Sequence, residues 1–148
     1  MSKKLKLKIV TPEKLVFEEM VDQVSLPTTL GEITVLPDHI PLITGLTSGD
    51  VVAVIAGEHV PFAVVGGFLE VKKSPEGMTE VAVLADFAET ITDLTEEKII
   101  EAKKKAEEMR RAMENKKHVD FEHFETELER SLTRVKIADK WRTKKYRK

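Results

Sequence analysis

Residues 78–113 read MTEVAVLADFAETITDLTEEKIIEAKKKAEEMRRAM, and the hydrophobic period changes inside this stretch. Met78–Ala85 is a short, valine-rich apolar segment of the kind that forms a strand. From Ile99 onward the apolar residues step by three and four, through Ala102, Ala106, Met109 and Met113, which aligns them as one stripe on a helix. The switch predicts two units, with the boundary in Ala85–Asp93.

Upstream of the switch, the chain reads as a series of short strands. Leu5, Leu7 and Ile9 alternate with Lys6, Lys8 and Val10, the pattern of a strand with one wet face. Further apolar segments follow at Val16–Phe17, Val21–Leu26, Ile33–Leu36, Val51–Ala56, Val60–Val65 and Phe68–Val71. Turn signals separate them: Thr11-Pro12, Pro27 with Gly31, Gly49-Asp50, Gly57-Glu58 and Pro75-Glu76-Gly77. Short strands with regular turns predict an antiparallel β-sandwich or barrel, its edges protected by Pro61 and the amino-terminal lysines. Gly66-Gly67, between two apolar strands, reads as a bulge or a close backbone approach.

Downstream, Thr95 suits a helix N-cap, Leu94 and Ile99 a hydrophobic staple, and Glu96 and Glu97 the positive helix end. Glu101–Lys105 and Glu107–Arg111 have the four-residue spacing of helical ion pairs. Asn115–His118 reads as a tight connection. A second helix is expected from about Asp120, with Val119 and Phe124 as its staple and Phe121, Phe124, Leu128, Leu132, Val135 and Ala138 on its apolar face. The fold class is therefore α+β: an N-terminal antiparallel β-sandwich over residues 1–88, then a C-terminal two-helix antiparallel hairpin over 92–148.

Composition narrows the function. The 148 residues are 41% hydrophobic and 34% charged, too apolar for a disordered tail. No run nears the roughly 20 apolar residues of a membrane helix; the longest candidate, Val60–Leu69, is broken by Pro61, Gly66 and Gly67. The basic start leads into alternation rather than an apolar core, so no signal peptide is expected. The chain has no cysteine, which removes disulfides, thiolate nucleophiles and thiolate metal sites and favours a reducing, cytoplasmic setting. The net charge of −2 conceals an asymmetry: residues 1–90 carry 7 basic and 13 acidic side chains, residues 91–148 carry 17 and 13. The end of the chain, Arg134–Lys148, holds 8 basic residues against Asp139 alone. Such a tail suits nucleic acid, anionic lipid or an acidic protein surface.

Motifs for catalysis are absent. His118 and His123 lie about 140° apart on a helix, poor geometry for a shared metal, and there is no H-E-x-x-H pattern. Neither G-x-x-x-x-G-K-[ST] nor G-x-G-x-x-G occurs. Aromatic residues are only 5% of the chain and do not interleave with basic ones on the strands, which argues against base stacking. The expectation is no catalytic residue, no metal and no cofactor. A sandwich adaptor whose basic helical tail binds nucleic acid is the alternative reading.

Three ordered segments carry a family resemblance. Gly31–Ile43, GEITVLPDHIPLI, resembles the G-E-[LI]-x-[VI]-L-P-x-H-x-P-L segment of the epsilon subunit of bacterial F-type ATP synthases. Gly66–Val71 resembles the family's G-G-F-L-E-V strand, and Val83–Asp86 with Ala88-Glu89 its V-L-A-D-x-A-E stretch. The resemblance implies a non-catalytic central-stalk (rotor) subunit, peripheral at the cytoplasmic face of the cell membrane. Its sandwich would bind the gamma subunit and touch the c-ring through Gly31 and Glu32. Its helical hairpin would restrain ATP hydrolysis by reaching the alpha and beta subunits of the catalytic head, and no nucleic acid is expected as a partner. His39, between Pro37 and Pro41, reads as a turn-stabilising residue rather than a ligand.

Some members of that family bind ATP through [IL]-D-x-x-R-A at the first helix. Here Leu94-Thr95-Glu96-Glu97-Lys98-Ile99 has Thr95 for aspartate, Lys98 for arginine and Ile99 for alanine. Lysine lacks the planar fork of arginine, and Ile99 adds bulk beside it, so ATP binding by the hairpin is not expected. Near the end of the second helix, Lys136, Lys140, Lys144 and Arg147 form a basic stripe. Ile137 and Trp141 lie beside it, away from the expected seam, and are expected to be partly exposed in a compact hairpin that does not pack on the sandwich. Lys136, Ile137, Lys140, Trp141 and Lys144 are the expected contact with the catalytic head.

Overall fold

Alternation in Leu5–Val10 is realised as strand β1, in which Leu5, Leu7 and Ile9 are wholly buried and Lys6, Lys8 and Val10 face outward. The computed structural model describes residues 3–91, 96–114 and 121–146. Nine further strands follow among these residues: β2 (Leu15–Val21), β3 (Gln23–Thr28), β4 (Gly31–Val35), β5 (Leu42–Gly45), β6 (Gly49–Ile55), β7 (Glu58–Val65), β8 (Phe68–Lys73), β9 (Thr79–Leu84) and β10 (Phe87–Thr90). They form two five-stranded sheets, ordered β2-β1-β9-β8-β5 and β10-β7-β6-β3-β4. Neighbouring strands run antiparallel except β1 and β9, which pair in parallel.

Each sheet turns its alternate residues inward, and these make one core. Leu7, Ile9, Leu69, Val71, Val81 and Val83 come from one sheet, and Val24, Leu26, Val35, Val51, Phe62 and Val64 from the other. Phe62 meets the edge of Phe17 with ring centroids 4.9 Å apart at 63°, an arrangement that suits the aromatic quadrupole.

The edges differ from the sequence expectation. β1 is an interior strand, so its lysines guard no edge; Lys6 instead pairs with Glu18 of β2 at 3.0 Å. The hydrogen bond and charge of Glu18 raise the Lys6 pKa, and the same pair lowers that of Glu18. Pro61 lies one residue past the end of β10, where β7 has no outer neighbour and a missing N–H does no harm. Pro27, expected to break a strand, lies within β3 beyond the reach of its β6 pairing.

Gly66 and Gly67 make the close approach that the sequence suggests. Both have positive φ (60° and 107°), and a Cβ on Gly67 would lie 2.0 Å from the Leu84 carbonyl oxygen.

Asp38 fixes the β4–β5 loop in a left-handed conformation (φ 69°). Its amide donates to the buried Thr79 hydroxyl at 2.7 Å, and its carboxylate accepts from Lys3 at 2.8 Å and faces Lys73 at 3.7 Å. The Lys3 hydrogen bond, followed by the Lys3 charge and the weaker influence of Lys73, holds the Asp38 carboxyl below the usual carboxylate range. A depressed carboxyl adds stability that is present above its unfolded pKa and lost as pH falls through the folded value. The margin between the natural chain and Asp38→Asn should therefore be small at pH 7, as for exposed pairs, and should vanish in acid. Urea midpoints at both pH values measure it, and an equal margin at the two would refute the assignment. In the same loop, the His39 amide donates to the Leu36 carbonyl at 3.1 Å and its Nδ1 lies 2.8 Å from the Ile40 carbonyl oxygen, which makes it a turn residue.

The chain divides into two compact units, Met1–Thr90 and Ile91–Lys148. The second contains α1 (Glu96–Glu114) and α2 (Phe121–Tyr146). On α1, Ala102, Ala106 and Met109 are buried as expected, and Glu107 pairs with Arg111 at 3.5 Å. Lys105 pairs across to Glu127 of α2 at 3.4 Å, and Lys103 with Asp139 at 3.9 Å. Rising positions on α1 thus meet falling positions on α2, the order of an antiparallel pair. The Thr95 cap, the Leu94 and Val119 staples and the Asn115–His118 connection lie outside the described residues. So do the side chains of Lys98, Ile99, Met113, Phe121, Phe124 and Lys144, and Arg147.

Candidate partner-binding surfaces

Three strands of the first sheet break alternation at one end, with two apolar residues in succession: Ile9-Val10, Phe68-Leu69 and Val83-Leu84. A strand sends consecutive side chains to opposite faces, so one member of each pair must face outward. Ile9, Leu69 and Val83 take the core, leaving Val10, Phe68 and Leu84 outside. The register places these three side by side. Leu15 of β2 lies opposite Val10, Val10 opposite Leu84, Leu84 opposite Phe68, and Phe68 opposite Gly45 of β5. Phe68 is 63% exposed, Leu84 55% and Leu15 52%. An in-register row of exposed apolar side chains is a candidate surface for a partner.

The next rows are charged. Glu18, Lys8, Ala82, Glu70 and Ile43 stand in register, followed by Met20, Lys6, Glu80 and Lys72. Lys72 lies 3.8 Å from Glu70 and 4.0 Å from Glu80, so these side chains largely neutralise one another. The apolar row is thus bounded by a ladder of charged pairs, interrupted by Ala82 and by Ile43, which is 73% exposed.

Gly31 and Glu32 open β4 at the tip of the β3–β4 hairpin, and both are exposed. The tip is rigid. The buried Thr28 hydroxyl accepts from the Leu30 amide and donates to the Gly31 carbonyl, and the Thr29 amide donates to the Gly45 carbonyl at 3.0 Å. That last bond joins the tip to the strand end that closes the apolar row.

On α2 the covered arc departs from the expected stripe. Leu132, expected in the seam, is 46% exposed, whereas Ile137, expected off it, is only 3% exposed. Ser131, Thr133 and Ala138 are buried, and Glu127, Arg130, Arg134 and Trp141 are half-buried. The covered arc is turned by roughly a quarter of a revolution from the face that the large apolar residues define. The α1 stripe that meets it is small, and the Lys105–Glu127 and Lys103–Asp139 pairs accompany this rotation. Lys136 and Lys140 are exposed, and the Lys140 ammonium lies 5.9 Å from the Trp141 ring centre, within cation–π range.

The described residues contain no cluster of three histidine or acidic side chains able to hold a metal ion. No helix among them is long and apolar enough to cross a membrane.

Residues 4–91 match the sequence profile described as "ATP synthase, Delta/Epsilon chain, beta-sandwich domain". The chain belongs to that family. Curated relatives extend the likeness through the helices. The ATP synthase epsilon chain of Dehalococcoides mccartyi is 43% identical over 141 residues, covering 94% of this chain and 95% of that one. The epsilon chain of Desulforamulus reducens is 38% identical over 139 residues, covering 94% of this chain and all of that one. The fold recurs in a chain of the Euglena gracilis mitochondrial ATP synthase, from an OSCP/F1/c-ring structure, at a TM-score of 0.60 and 17% identity over 97% of this chain and 82% of that one. As a member of this family, the chain is an ATP synthase subunit, built as a β-sandwich followed by two helices.

The structure puts Gly31 and Glu32 at an exposed tip, and it brings together an apolar row that the sequence reading did not single out. The consecutive apolar pairs are the signal that points to the row.

Proposed function

We propose that the chain is a non-catalytic rotor subunit that binds the gamma subunit through the Leu15–Val10–Leu84–Phe68 row. Its β3–β4 tip, with Gly31 and Glu32, contacts the c-ring. The exposed row is the observation that carries this reading, because a large apolar face in register suits a permanent neighbour. The helices are the regulatory part: α2 reaches the catalytic head through Lys136, Ile137, Lys140, Trp141 and Lys144, and so restrains ATP hydrolysis. Ile137 is covered in the present conformation, so this contact requires α2 to be uncovered first. No nucleotide or metal is assigned to the hairpin. The subunit is peripheral, on the cytoplasmic face of the membrane.

The test is reconstitution of the epsilon-depleted complex. The full chain should restore coupled pumping and lower hydrolysis, whereas a chain ending at Thr90 should restore coupling and leave hydrolysis several-fold higher. Trp141 is the chain's only tryptophan, so with tryptophan-free partners its emission should shift to the blue in the inhibited complex. Equal hydrolysis with both chains, or solvent-like emission under full inhibition, would overturn the regulatory part.

A further inference from the structure

The uncovered face of α2 carries its charges in a segregated order. Glu129, Leu132, Lys136 and Lys140 follow one another in steps of three and four, and all four are exposed. Such steps align them in one line along the helix. In sequence the same spacing runs back to Glu125. The line therefore reads acidic, acidic, leucine, basic, basic. Its members four apart, Glu125 with Glu129 and Lys136 with Lys140, bear like charges, an order that weakens a lone helix. On α1 the order is the opposite, with Glu107 set against Arg111 at that spacing. The helix dipole favours acids at the start and bases at the end, but only within the terminal turns. Glu129 and Lys136 lie about two turns or more inside α2, so the dipole does not account for them.

The partner that this order fits is a reversed copy of itself. A line whose charge changes sign about its midpoint is self-complementary under a two-fold axis. When two α2 helices cross antiparallel close to Leu132, Glu129 of each stands level with Lys136 of the other, and Glu125 level with Lys140. A parallel pair would set like charge against like. We infer that this face is a self-association surface, through which two copies of the chain pair by antiparallel α2 helices centred on Leu132. Each copy keeps its own hairpin, because Ser131 and Ala138, which are covered in it, lie on the opposite side of α2. Exposed ion pairs around one leucine make a weak contact, so the dimer forms at high protein concentration and low salt. Its consequence rests on the proposed head contact: pairing occupies Lys136 and Lys140, so a paired subunit cannot offer them to the catalytic head.

The experiment is sedimentation velocity of the full chain over a range of concentrations at low and high salt. The natural chain should dimerise at low salt, with affinity falling about tenfold or more at high salt. Glu129→Lys and Lys136→Glu should each weaken self-association about tenfold or more, with helix content unchanged by circular dichroism. Their equimolar mixture should dimerise again, because each variant supplies the charge that the other lacks. That rescue requires position 129 to face position 136, so it fixes both the face and the antiparallel sense, and an unfolded variant could not give it. Leu132→Ser should weaken association at both salt concentrations. A natural chain that stays monomeric at low salt, or a mixture no more associated than its two parts, overturns the inference. So does association that Glu129→Lys leaves unchanged, which would put it on another face such as the Phe68–Leu84 row. In a last arm, the epsilon-depleted catalytic head is added to the dimer and should dissolve it. If the dimer persists with the head bound, the contact of the head with Lys136 and Lys140 fails while the self-association stands.

Discussion

Replacing Gly67 by alanine should destabilise the sandwich by about 3 kcal/mol or more, the range of strained backbone combined with overpacking. The added Cβ would lie 2.0 Å from the Leu84 carbonyl oxygen and 2.8 Å from the Ala85 Cα, both backbone atoms that cannot rotate away. The φ of 107° lies in a region that an L side chain adopts only under strain. Gly66 is a sharper control than a distant site. Its Cβ would meet the Asp86 carboxylate oxygen at 2.6 Å, a side-chain atom free to swing aside, and its φ of 60° is left-handed helical. Gly66→Ala should cost roughly 1 kcal/mol. Urea unfolding of the two variants measures the difference, and equal losses would show that the contact with β9 does not constrain the turn. The turn also sets the start of β8, so Gly67→Ala should disturb Phe68 and its neighbours in the same stroke.

The sandwich was legible because its strands alternate. Leu5, Leu7 and Ile9 must share a face, and a face of three aliphatic residues must be buried. The continuously apolar Val51–Ile55 is different: its sequence marks a strand, and only the structure shows that Val51 and Ala53 face the core. Pairing was less legible. Nothing in Leu5–Val10 announces that β1 pairs in parallel with β9, since that neighbour is set by how distant strands close the sheet. Hence the amino-terminal lysines read as edge guards, whereas Lys6 and Lys8 stand on a strand inside the sheet order.

The α2 face was legible only in part: Ala138 is buried and Leu128 and Val135 half-buried as expected, but Leu132 is exposed. Periodicity finds the stripe of largest apolar residues, but helix rotation follows the surface that the helix covers and is covered by. Ala102 and Ala106 present little bulk, so they impose no particular face on α2, and Ile137 is covered while Leu132 is not. Among the candidate site residues, Gly31 and Glu32 were singled out by a family motif, and the hairpin of β3 and β4 places them at an exposed tip.

Phe68→Gln combined with Leu84→Gln should abolish stable binding to the gamma subunit while leaving the fold intact. Both side chains point away from the core, so each substitution should change stability by no more than about 0.5 kcal/mol. Their loss from an interface is another matter. Burying a large apolar side chain is worth roughly 1.5–3 kcal/mol, and the two are opposite each other in register, at the centre of the row. Removing both should weaken association by about a hundredfold or more, read by titration of the purified chain against gamma. Lys72→Ala provides the contrast: two rows away, exposed and flanked by Glu70 and Glu80, it should change affinity by less than about threefold, with the change fading in salt. The Phe68 and Leu84 losses should persist at high salt, because no screened charge is involved. In the assembled complex the double variant should uncouple pumping from hydrolysis through loss of the subunit itself. Undiminished gamma binding by a well-folded double variant would mean that the row is incidental and that the sandwich is held by another face.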